Sequence, residues 1–238
     1  MDDLTFVLVG KFDIDSIRPL VLQYLGNLPI TDREETWEDS GIHPPKGVIK
    51  KTIYRGQEEK SHVSLIFTGE HPWSREANYA ISSMMSVMRI KLREVLREDM
   101  SGTYGARIGG SLSLYPRSAY RITVSFGCEP ARVDELTEAI FQVIDSMQVF
   151  GPDSSYIDKV KETQRRSFET QLEQNRFWLS NLVAYAMREQ NPEIILNYPE
   201  LINTLDPRMV QEAAKTFFNE ENFVQIVLKP EAPQEEWP

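Results

Sequence analysis

A chain of 238 residues is long enough to bury a full hydrophobic core. Its 41% hydrophobic and 26% charged content is that of an ordinary globular protein, which excludes disordered and collagen-like classes. The net charge of −10 repels phosphate backbones and argues against a nucleic-acid partner, and the single cysteine, Cys128, excludes an internal disulfide and any multi-cysteine metal site.

The first residues, M-D-D-L-T-F-V-L-V-G, lack the basic region and cleavage site of a signal peptide, and no apolar run approaches the ~18 residues of a membrane-spanning helix. Leu4–Gly10 is β-branched and aromatic and reads as a strand. A mature protein can begin with a buried strand so close to Met1, and a chain excised from a longer one would look the same. A helix follows, with Asp13 or Asp15 as its N-cap, Pro19 in its first turns and Leu20, Tyr24 and Leu28 along one stripe. Thr31–Pro45 is acidic, proline-containing and aperiodic, and reads as a surface loop.

Val48–Tyr54 and His62–Thr68 read as strands that the turn around Gly56 would pair as a hairpin. Ser74 then caps a long amphipathic helix whose apolar residues, Ala77, Ile81, Met84, Met88, Leu92, Val95 and Leu96, recur every three or four positions. Ala119–Cys128 alternates strictly, with Tyr120, Ile122, Val124 and Phe126 on one face and Arg121, Thr123 and Ser125 on the other. Gly109–Tyr115 is its expected hairpin partner, turning at Pro116-Arg117-Ser118. Beyond Pro130 the pattern is helical over 133–147, 155–173 and 176–188, with breaks at Pro152 and Pro192. Asp206 and Pro207 open a last helix, and F-V-Q-I-V-L-K-P a last strand. The chain reads as a single α+β domain over residues 1–230, a roughly six-stranded, mostly antiparallel sheet covered by long helices, with 231–238 as a tail.

The usual catalytic constellations are missing. His43, His62 and His71 have no partner at the spacing that sets two imidazoles on one helical face, so no metal site is expected in this chain. Gly109-Gly110 lacks the lysine and hydroxyl of a phosphate loop and reads as a strand bulge. Neither Ser101 nor Ser125 lies in a G-x-S-x-G elbow, so neither is a nucleophile.

One stretch remains, L-R-E-D-M-S-G-T-Y-G-A-R-I-G-G from Leu96 to Gly110. Its residues admit two readings. In one, Met100-Ser101-Gly102 ends a helix whose negative C-terminal dipole Arg97 favours, and Tyr104 packs on the next strand. In the other, the guanidinium of Arg97 and the phenol of Tyr104 both point into a cleft and donate hydrogen bonds to a substrate carbonyl or oxyanion.

The helix ending in L-R-E-V-L-R-E-D-M-S-G-T-Y-G, followed by a glycine-containing strand and then an alternating one, resembles the C-terminal half of the pitrilysin/insulinase family of inverted zincin metallopeptidases. T-F-V-L-V-G-K-F-D-I-D-S-I-R-P-L-V-L-Q-Y-L-G-N-L-P is similar to the strand and helix that begin the second domain of each half in that family. The resemblance spans residues 4–229 and implies a LuxS/processing-peptidase-like α+β domain, the last of four that enclose a chamber. In that family the N-terminal half carries H-x-x-E-H, its two histidines and a downstream glutamate holding zinc. This chain has no H-x-x-E-H, so no ligand or general base is transferred to it. The resemblance implies that zinc sits in the N-terminal half of the full-length protein, and that Arg97 and Tyr104 bind peptide substrate across the chamber, with Tyr104 polarising the scissile carbonyl. It equally fits a non-catalytic structural or processing-partner subunit. The G-T-Y-G turn most resembles bacterial, periplasmic members, which implies a periplasmic location.

Overall fold

In chain order the elements are α1 (Ile14–Tyr24), β1 (Ile49–Tyr54), β2 (Ser61–Glu70), α2 (Arg75–Arg93), a π-helical turn (Glu94–Asp99), β3 (Gly105–Ser113), β4 (Ala119–Cys128), α3 (Val133–Val149), α4 (Ser154–Leu172), α5 (Asn175–Met187), α6 (Tyr198–Thr204), α7 (Pro207–Phe217) and β5 (Phe223–Lys229). They come from a computed structural model that describes residues 4–29, 36, 38, 40–99 and 105–231. The chain divides into two compact units, one of Gly41–Glu162 with Asn203–Pro238 and one of Met1–Ser40 with Thr163–Ile202.

The larger unit is built on the alternating strand. β4 pairs antiparallel with β2 over its whole length and with β3 on its other side. β5 pairs antiparallel with β2 and parallel with β1, giving the order β1-β5-β2-β4-β3. The expected β1–β2 hairpin does not form, because β5 occupies the slot between them. Its run Phe223-Val224-Gln225-Ile226-Val227-Leu228 is apolar on both faces but for Gln225, the composition of a central strand. The sheet thus has five strands rather than six. Among the described residues Leu4–Gly10 joins no strand, and β3 begins at Gly105, four residues before the expected start.

One face of the sheet forms the core. Val63, Leu65 and Phe67 of β2 and Ile122, Val124 and Phe126 of β4 are buried there with the apolar stripes of α2, α3 and α7. Phe67 meets the ring of Phe218 edge-on at 5.1 Å and that of Phe223 at 5.5 Å, geometries that add to simple area burial. α2 starts where Ser74 Oγ accepts the Ala77 N–H at 3.0 Å, and α7 where Asp206 Oδ1 accepts the Met209 N–H at 2.7 Å. A reciprocal amide clasp locks α3 to α7. Gln148 Nε2 donates to the Phe218 carbonyl at 2.8 Å, and Gln211 Nε2 to the Val149 carbonyl at 2.8 Å.

The smaller unit contains α1, α5 and the adjoining parts of α4 and α6. Asp13, not Asp15, caps α1, its carboxylate accepting from the N–H and hydroxyl of Ser16 at 2.9 and 2.8 Å. Those bonds hold its pKa below the usual aspartate value. α1 buries no residue. The unit is held by aromatic contacts instead: Phe168 meets Phe177 at 5.8 Å and Tyr198 at 5.2 Å, while Trp178 Nε1 donates to the Leu172 carbonyl at 2.8 Å. A 3-10 turn over Pro192–Asn197, capped by Asn191, leads into α6, where the sequence suggested only a proline break.

Candidate functional site

α2 does not simply stop. It widens into the π-helical turn Glu94–Asp99, a geometry enriched at functional positions. Leu96 is fully buried in that turn, and the Glu94 carboxylate accepts the Tyr156 hydroxyl of α4 at 2.6 Å. Lys91 lies over the same ring, 5.2 Å from its centroid. The backbone of Arg97 belongs to this turn. Its side chain and the whole of Tyr104 lie outside the described residues, so the geometry of the expected donor pair does too. The strand resumes at Gly105, whose φ of +157° is one that side chains rarely adopt.

Gly105 stands at one end of the sheet face opposite to α2, α3 and α7. The pairing register sets this open face out in rows. Ile53, Leu228, His62, Gly127 and Gly105 form the row at the junction. Next come Lys51, Ile226, Ser64, Ser125 and Arg107, then Ile49, Val224, Ile66, Thr123 and Gly109. Thr68, Arg121 and Ser111 complete the far end. The face is apolar along β5, where Val224, Ile226 and Leu228 are flanked by Ile49, Ile53 and Ile66, and polar and small across β4 and β3. A Cβ added at Gly109 or Gly105 would meet nothing within 4 Å, so the polar half is a bare trough. The sequence reading placed Arg121, Thr123 and Ser125 on one face but missed Arg107. The alternation of Arg107 with buried Ile108 was the available signal.

A cleft of about 660 Å³ lies at the other end of β4, where Pro44, Pro45, Ala119 and the ring of Tyr120 sit beside Arg117 and Asn222. Leu112 opposite Tyr120 is seven residues along β3 from Gly105, roughly 24 Å at ~3.4 Å per residue. The cleft is braced by Asn222, which donates to the Thr68 carbonyl at 2.7 Å and accepts the Gly47 N–H at 2.8 Å. Arg117 adds a bond to the Ile42 carbonyl at 2.9 Å. Burial raises the Tyr120 phenol above its ordinary pKa and keeps it a neutral hydroxyl.

The histidines are scattered. His43 is in the loop beside Arg117, His62 is on the open face of β2, and His71 stacks on Phe217 at 5.0 Å with Nδ1 2.8 Å from the Pro72 carbonyl. Among the described residues no three His, Cys, Asp or Glu side chains are grouped to hold a metal. The described residues therefore offer no site that fits a zinc ion. Cys128 is buried, and that burial pushes its thiol pKa up, away from nucleophilic thiolate.

The chain is similar to known proteins over most of its length. A family profile described as the peptidase M16 inactive domain matches residues 2–164. A probable zinc protease PqqL of Haemophilus influenzae is 25% identical over 201 residues, 84% of this chain and 21% of that protein. The corresponding Escherichia coli protein is 21% identical over 91% of this chain and 23% of its own length. The crystal structure of the periplasmic protease PqqL from Escherichia coli superposes with a TM-score of 0.79 at 19% identity, over 93% of this chain and 25% of that one. A protease from Helicobacter pylori superposes at 0.78 with 14% identity, over 93% and 54%. This chain spans about a fifth to a quarter of the length of the curated relatives it matches.

Proposed function

Because the chain belongs to the peptidase M16 family, as its inactive domain, we propose that it acts as the non-zinc-binding C-terminal domain of a zinc metalloendopeptidase. In this reading residues 1–230 work as one domain that walls a substrate chamber. Zinc and the activated water belong to the N-terminal half of the full-length protein, and Arg97 and Tyr104 supply hydrogen-bond donors to the peptide. One observation carries it: the family match falls on a chain without H-x-x-E-H and, among its described residues, without a cluster of three metal-ligating side chains.

The chemistry suits that division. Zinc, when bound by the other half, provides Lewis acidity and a water nucleophile. A phenol and a guanidinium then provide fixed donors where negative charge develops on the scissile carbonyl oxygen, worth about 2.7–4 kcal/mol for one donor in comparable sites. The open sheet face supports a wall role, since it is a broad side of the sheet opposite to the one that α2, α3 and α7 cover. In the full-length enzyme Tyr104→Phe is expected to lower kcat by about 10-fold or more, with zinc content unchanged. Unaltered peptidase kinetics would remove Tyr104 from the site.

The second reading is a non-catalytic structural or processing-partner subunit, favoured by the same lack of ligands. The coding sequence upstream of Met1 separates them: an open frame carrying H-x-x-E-H supports the peptidase, and an independent start supports the separate subunit.

A further inference from the structure

The whole chain carries 36 acidic and 26 basic side chains, yet its open sheet face reverses that balance. Lys51, Arg107 and Arg121 stand on it, and its one carboxylate, Glu70, is at the corner where β2 ends. Neither arginine has a hydrogen bond or ion pair among the described residues, and both are exposed. A surface that gathers cations in an acidic protein, and leaves its arginines without partners among the described residues, is suited to attract anions from outside.

The spacing narrows the partner. Arg107 is opposite Ser125, so Arg121 is one strand over and four residues along, roughly 14 Å away at ~3.4 Å per residue and ~4.8 Å between strands. Side chains four apart on one face of an extended peptide repeat at nearly that distance. Between the two guanidiniums the floor is Gly109 and Thr123, low enough for a backbone to lie along it. Beside this trough Ile66, Val224 and Ile226 continue an apolar lane. We infer that the open face binds extended acidic peptide segments, with carboxylates four residues apart meeting Arg107 and Arg121 and neighbouring apolar side chains lying toward β5. The inference gives a substrate class to the chamber wall proposed above and rests on that placement for its biological setting. Its test requires neither zinc nor Tyr104.

The test is fluorescence anisotropy with the full 238-residue chain and labelled twelve-residue peptides. Glutamate, lysine or serine is placed at every fourth position in one Ser/Val background. The glutamate peptide is expected to bind best and to weaken as salt rises. The double variant Arg107→Gln/Arg121→Gln should weaken it by roughly 10-fold, the sum of two exposed charge pairs. Gly109→Asp, which sets an opposing charge on the trough floor, should weaken it also. Removing equal charge from exposed Arg208 and Lys215 of α7, on the other side of the sheet, should leave it unchanged. Equal binding of the three peptides, equal loss in the Arg208/Lys215 variant, or full competition by inorganic polyphosphate would overturn the proposal. If the full-length protein shows no peptidase activity while the acidic preference persists, the protease reading fails alone. If turnover depends on Tyr104 but is indifferent to acidic sequence, the acidic-segment proposal fails alone.

Discussion

Two sides of the same five strands obey different rules. On the helix side, Val63, Leu65, Phe67, Ile122, Val124 and Phe126 lose nearly all contact with water. On the open side the residues between them, Ser64, Ile66, Thr123 and Ser125, stay half-buried and Arg121 is exposed. A period of two in the sequence separates the faces, and only the buried one is held to shape by packing. The open one is free to be shaped by what it meets, and here that freedom is spent on arginines, hydroxyls and glycines.

Adjacent residues make this contrast testable. The largest effect is expected at Phe67→Ala, which empties a site ringed by Phe218, Phe223 and Phe141 and should cost about 3–5 kcal/mol in denaturant unfolding. Its neighbour Ile66→Ala, on the open face, should cost about 1 kcal/mol or less. Equal losses would mean that the open face is packed against something. Gly110→Ala comes next. The new Cβ would sit 2.9 Å from Ile122 Cγ1 and 3.1 Å from Met85 Sδ, so about 1–3 kcal/mol of overpacking is expected, read as a lowered Tm. One residue away, Gly109→Ala meets no atom within 4 Å and should be neutral or raise stability by a few tenths to ~1 kcal/mol, since it restricts the unfolded chain. A large loss there would show that the trough needs its glycine for folding rather than for a ligand.

The smallest effect sets a baseline for surface charge. Burial, together with a hydrogen bond to Asp145 and its charge, raises the pKa of Glu220 above the ordinary value of 4.5. The folded state therefore holds this proton more tightly than the unfolded one. Its stabilising contribution is complete below 4.5 and is lost as pH rises through the raised value. Glu220→Gln should flatten that part of the Tm–pH curve, by less than about 1 kcal/mol at so open a site. An unchanged curve would assign the slope to other groups.

Much of this was legible in the chain itself. The stripe Ile81, Met84, Met88, Leu92 forms the buried face of α2, and the alternation of Ala119–Cys128 marks β4, because burial imposes those periods directly. The open face was half legible: Arg121, Thr123 and Ser125 stood together, while Arg107 joined them only through the register of β3 on β4. Pairing partners were not legible. Gly56 signals a reversal after β1, but a reversal does not say whether the next strand lies alongside or one slot away. Leu4–Gly10 has strand composition and no strand partner among the described residues, since β-propensity reports fitness for a sheet and not the presence of one. Arg97 and Tyr104 were found through resemblance, and their side chains fall on the undescribed junction.

The place of β5 has a further consequence, for the order in which the protein folds. β1 and β2 follow each other closely in the chain, yet both wait for a strand that begins at Phe223, 162 residues after β2 begins at Ser61. Until that strand is synthesised, β1 has no neighbour and β2 presents an open, apolar edge. Such long-range closure slows folding and exposes a template for aggregation. A nascent chain stalled before Phe223 would therefore be a client for chaperones, and a truncation there should lose the soluble sheet altogether rather than shorten it by one strand.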